Sequence, residues 1–159
     1  MSLIVGENTY ADLSTVQAYF DSMEYDETAT NGAVLRAMKY IESQNYKGIP
    51  ATADQDLKWP RRYVVFDGYT LSETEVPTRL VKALCEAAYI ETKIPGKLTP
   101  LFHERDVRRE KIDVIEIEYE PTYHDKFIKD KNEFPALEFL LNGLVIPKGA
   151  ASNIKMELM

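Results

Sequence analysis

"EVPTRLVKALCEAAYIETKIPG", residues 75–96, decides the fold. Pro77 suits the first turn of a helix, where a missing N–H costs nothing. Leu80, Ala83, Leu84, Ala87 and Ile90 then recur at helical spacing and define one apolar face. Val81, Cys85 and Ala88 add a second apolar side, leaving a polar stripe of Lys82, Glu86, Tyr89 and Lys93. A helix that is apolar over most of its circumference belongs at the centre of a bundle. Its alanines allow close helix–helix approach, and Pro95-Gly96 stops it.

Two amphipathic helices precede this one. Leu13, Val16, Phe20 and Met23 recur at helical spacing behind Asp12, a capping residue, with Ser14, Gln17 and Asp21 on the opposite face. Residues 29–45 repeat the pattern, with Val34, Ala37, Met38 and Ile41 inside and Arg36, Lys39 and Ser43 outside. After the central helix the period changes from helical to alternating. Ile115, Ile117 and Tyr119 alternate with Glu116, Glu118 and Glu120, which is strand periodicity with one acidic face. "VRREKI", residues 107–112, is its antiparallel partner, bringing Arg108, Arg109 and Lys111 towards the glutamates, in a register the sequence leaves open. A last helix begins near Pro135, carries Leu137, Leu140, Leu141 and Leu144, and stops at Gly143.

The expected fold is mainly α: a bundle of three or four helices, with a two-stranded β-hairpin at about 105–120 inserted before the last helix. Residues 1–144 form the domain and residues 145–159 an extended C-terminal arm. That arm ends in alternating Ile154, Met156 and Leu158, more apolar than a free tail, so it is expected to dock on something.

Residues 46–74 are the other long connection, broken by Gly48, Pro50, Pro60 and Gly68. A loop of that size needs a tether or a task. "YVVF" (63–66) before Asp67-Gly68 reads as a short strand and turn. "TADQDLKWPRR" (52–62) holds the only tryptophan, and it reads as an anchor. Trp59 and Leu57 plug the core, Pro60 stiffens the exit, and Arg61 and Arg62 are held at the surface for an acidic partner.

The totals narrow the function classes. The 159 residues carry a net charge of −7, which lowers the prior for a dedicated nucleic-acid binder without excluding a local basic patch. A single cysteine, Cys85, rules out an intrachain disulfide and fits a reducing compartment. Met1–Glu7 has neither a basic region nor a long apolar core, so a signal peptide is not expected, and no apolar run reaches membrane-spanning length. His103 and His124 lack partners at metal spacing; "HERD" (103–106) reads as a solvated charged loop. Cys85 falls on an apolar helix face, where thiols are structural. No nucleophile–base set and no Gly-rich phosphate loop is present. Neither an enzyme nor a cofactor is expected.

The order of elements resembles a known family. "TYADLSTVQAYF" (9–20), "YKG" (46–48), "ADQDLKWPR" (53–61), "DGY" (67–69), "EVPTRLVKALCEAAYIE" (75–91), the "REKID-VIEIEY" hairpin and "FPALEFLL" (134–141) carry the resemblance over nearly the whole chain. It is to tailed-phage proteins labelled DnaT-like single-stranded-DNA-binding proteins, which also look like the head–tail connector, or adaptor, proteins of the phage neck. The connector label implies a dodecameric ring between the portal ring and a tail-proximal neck or tail-terminator protein, assembled in the host cytoplasm and resident in the virion neck. Packaged double-stranded DNA would pass through without sequence-specific binding, because an acidic wall does not grip phosphates. Arg108, Arg109, Glu116, Glu118, Glu120, Arg61 and Arg62 would then line the channel or a subunit interface. Ile146, Pro147, Lys148, Ile154, Met156 and Leu158 would bind the portal. The DnaT-like label implies DNA binding instead, and a tail-completion role is a further alternative.

Overall fold

The computed structural model describes residues 2–98 and 134–147. The hairpin expected at 105–120 and the arm beyond Pro147 lie outside the described residues. Among them are four α-helices: α1 (Leu13–Ser22), α2 (Asn31–Glu42), α3 (Thr78–Lys93) and α4 (Pro135–Leu141). The fold is a helical bundle with short β insertions.

Local chemistry starts the first two helices. Asp12 Oδ1 accepts the Thr15 N–H at 2.8 Å, and the Thr30 hydroxyl accepts that of Ala33 at 3.2 Å. The second cap places the start of α2 two residues later than the periodicity suggests. α3 has no side-chain cap and begins directly behind Pro77. It packs against α2, α4 and α1 in turn, so it is central. Phe20, Val34, Ile41, Leu80, Leu84, Leu137 and Leu144 are all sealed from solvent.

Two acidic residues of α3 are buried. Glu86, placed on the polar side by spacing, is only 7% exposed. α1 and the chain leaving it satisfy the carboxylate with two phenols: Tyr19 at 2.9 Å and Tyr25 at 2.8 Å, both donating to Oε1. Glu91 is fully buried and binds across to α2. Arg36 Nε donates to its Oε2 at 3.1 Å, while the Gly96 amide donates to Oε2 at 2.8 Å and the Leu98 amide to Oε1 at 3.1 Å.

The long connection is not structureless. β1 (Ile49–Pro50) pairs antiparallel with β2 (Arg61–Arg62), and β3 (Val65–Phe66) with β4 (Tyr69–Thr70). The strand at 63–66 is therefore shorter than "YVVF", because Tyr63 sits at φ 63° and breaks the extended backbone. Asp67 and Gly68, at φ 51° and 83°, form the tight turn joining β3 to β4. Gly48 (φ 75°) has no room for a side chain: a Cβ there would strike the Arg62 carbonyl.

Residues 144–146 return to the bundle. Lys47 N donates to Leu144 O at 2.9 Å and Ile146 N to Asn45 O at 2.8 Å, around an antiparallel bridge between Tyr46 and Val145.

Candidate interaction surfaces

The loop at 52–62 is built inward. Trp59 is 2% exposed and stands edge-on to Tyr46, with ring centroids 5.5 Å apart. Leu57 is buried beside it. The Tyr10 hydroxyl hydrogen-bonds the Glu42 carboxylate and accepts the Trp59 amide at 3.2 Å; Glu42 Oε2 accepts the Lys58 amide at 3.0 Å. Gln55 closes the loop from within, donating to the Leu57 and Pro60 carbonyls at 2.7 and 3.0 Å. The Trp59–Pro60 peptide is cis and Pro60 is half-buried. The indole Nε1 is buried without a hydrogen-bond partner.

The two arginines of this stretch part company. Arg61 is buried rather than held at the surface. Its guanidinium donates to the carbonyls of Lys47 (2.8 Å), Gly48 (2.8 Å) and Lys58 (3.2 Å). The reversal of the chain leaves these carbonyls without amide partners, and a planar five-donor group satisfies them together. Arg62 is exposed, with Glu73 at 3.7 Å.

Other cations are also engaged. Arg36 holds Glu91, Lys93 lies 3.7 Å from Glu27, and Lys58 Nζ donates to Gln44 O at 2.8 Å. Arg79, in the first turn of α3, lies between two rings, with Cζ 4.9 Å from the Phe66 centroid and 4.8 Å from that of Phe139. Its Nη2 donates to the Phe139 carbonyl at 2.6 Å. Sequence reasoning passed over this residue; an arginine in a helix's first turn, where the helix dipole disfavours a cation, was the available signal.

Among the described residues the exposed apolar groups include Tyr69 (78%), Tyr63 (70%), Phe139 (65%) and Val65 (53%). An open groove of about 850 Å³ runs between the end of α2 and α4, lined by Tyr40, Phe139, Leu141, Val145, Ile146 and Pro147 among others. Two residues assigned to portal contact, Ile146 and Pro147, thus lie on its wall; Lys148, Ile154, Met156 and Leu158 lie outside the described residues, as do Arg108, Arg109, Glu116, Glu118 and Glu120.

Among the described residues reactive chemistry is sparse. Cys85 is 1% exposed, and burial, with the neighbouring Glu86 charge, pushes its thiol up to about 12. Among the described residues no three His, Cys, Asp or Glu side chains are grouped to hold a metal ion. No helix among them is long and apolar enough to cross a membrane.

A family model described as "Putative DnaT-like ssDNA binding protein" matches residues 2–159. The chain belongs to that DnaT-like family. No curated protein and no solved structure matches the chain. For this DnaT-like chain, the described cations mostly serve its own fold, and the most exposed of its described large apolar groups are aromatic.

Proposed function

We propose that this DnaT-like chain is a structural adaptor subunit of a tailed-phage neck, forming a ring between portal and tail through which packaged DNA passes. The observation that carries this reading is the fate of the four described arginines. Arg36, Arg61 and Arg79 are tied into the fold and Arg62 lies beside Glu73, in a chain of net charge −7. Single-strand binding needs a cationic groove to follow phosphates. Protein docking needs exposed aromatic and apolar anchors, which Phe139, Tyr69 and Ile146 supply. The arm from residue 147 onward would reach the portal, and the glutamates at 116, 118 and 120 would repel the passing duplex.

Electron microscopy of the purified protein mixed with portal rings tests the proposal. The expected result is an added ring of density on one face of the portal, lost when residues 147–159 are deleted. Bare portals at saturating protein would reject it.

The second reading is single-stranded-DNA binding. It is favoured by the family description and by Tyr63 and Tyr69, whose exposed rings are stacking surfaces. A gel shift with a short oligonucleotide at physiological salt, weakening steeply as salt rises, would favour it.

A further inference from the structure

The face formed by α4 and the β3–β4 turn has the chemistry of an interface centre. Arg79 is clamped between Phe66 and Phe139, and its Nε is buried without a partner. Among the described residues no carboxylate lies within ion-pair distance of it, although the chain is acidic overall. Phe139 stands 65% exposed on one side of the clamp. Tyr69 is 78% exposed and pairs with Phe66 across the β3–β4 ladder, which puts it on the same side of the ribbon. Rigid aromatic groups around an ordered arginine are typical of the residues that dominate binding energy at protein interfaces.

The opposite charge lies at the other end of α3. Tyr25 stacks on Tyr89 at 3.7 Å, ten residues beyond Arg79 and so about 15 Å further along the helix axis. The corner leading into Tyr25 presents Asp21, Glu24 and Asp26 around Met23, which is 46% exposed. This corner closes α1 with a Schellman turn: Tyr25 N donates to Phe20 O at 2.9 Å and Glu24 N to Asp21 O at 3.1 Å. That turn holds Met23 and its acidic neighbours in one fixed arrangement.

We propose that the Phe66–Arg79–Phe139 face docks the acidic Met23 corner of a second copy of this chain. The assignment deepens the ring reading above and rests on it for the number of copies. Charge complementarity selects the occupant: an arginine with no carboxylate partner among the described residues meets carboxylates, and exposed Phe139 and Tyr69 meet exposed Met23. Because the two patches differ and sit at opposite ends of α3, the contact is head-to-tail. Each subunit keeps one patch of each kind free for the next neighbour, the arrangement that generates rings.

Cysteine cross-linking of the full chain tests the contact. Met23→Cys and Phe139→Cys place thiols at exposed positions, while native Cys85 is buried. Under mild oxidation, mixing the two single variants should give a disulfide-linked dimer that neither gives alone, and a chain carrying both should give a ladder. Met23→Cys mixed with Asp54→Cys, a thiol in the exposed part of the 52–62 loop, is the control for random collision. Arg79→Glu should weaken the link and Glu24→Lys should restore it in that background, with far-UV circular dichroism confirming each fold. A yield no higher than the control overturns the proposal, and so does efficient dimerisation of Phe139→Cys alone, which would mean that the face meets itself. Portal-bound rings without this link would leave the ring reading standing and reject only the contact. The link without portal-bound rings would do the reverse.

Discussion

Arg36 on α2 and Glu91 on α3 form an ion pair at 3.1 Å in which only the arginine reaches solvent, its side chain being 38% exposed and the glutamate's 0%. The carboxylate also takes the Gly96 and Leu98 amides, so it fastens the end of α3 as well as joining two helices. Glu91→Ala would strand two amides, at about 1–3 kcal/mol each, while Arg36 could still turn to water. The expected loss is about 3 kcal/mol in urea unfolding. Arg36→Ala should cost a similar amount, because it leaves a buried carboxylate short of its cation.

Trp59 is the anchor of the 52–62 loop. Trp59→Ala should destabilise by about 3–5 kcal/mol, the usual cost of emptying a core aromatic site. Trp59→Phe should cost clearly less, since it keeps the contact with Tyr46 and removes an indole N–H that has no acceptor. Equal losses for the two variants would mean that the ring's packing is not what holds the loop.

Alkaline pH should loosen the α1–α3 junction. Burial, then the hydrogen bond to Glu86 and its charge, raises the Tyr25 phenol from 10.0 to about 12. The folded state therefore favours the protonated phenol. That contribution is complete below pH 10 and is lost as pH rises through about 12. Tyr19, sharing the same carboxylate, is raised for the same reasons in the same order. Tyrosinate absorbance should show these phenols titrating late, and Tyr25→Phe should flatten the alkaline fall in stability.

Glu24 occupies the left-handed position of its Schellman turn, at φ 59°, where glycine is the usual residue. Glu24→Gly should relieve about 1 kcal/mol of backbone cost and raise the melting temperature. The same variant should weaken head-to-tail cross-linking through Met23. Opposite movements in stability and association would separate the two roles of the residue.

Much of the bundle was legible from spacing alone. The stripe from Leu80 to Ile90 named the central helix, and Leu137 and Leu141 named the last one. Glu91 was partly legible, since it falls on the buried face defined by Leu84, Ala87 and Ala88, but its partner lies 55 residues away. Arg61 was not legible, because backbone carbonyls satisfy it and any sequence offers those. Arg79 escaped for a related reason: its flanking rings come from a hairpin and from a helix near the other end of the chain.

The single tryptophan also makes the protein its own fluorophore. Trp59 is shielded at 2% exposure, so its emission should be blue-shifted in the native state and should report one event, the seating of the 52–62 loop on α2 and Tyr46. Circular dichroism instead averages over the helices. A denaturation followed by both signals would resolve undocking of the loop from melting of the bundle. Coincident curves would mean that the clasp through Tyr10 and Glu42 makes them one cooperative unit.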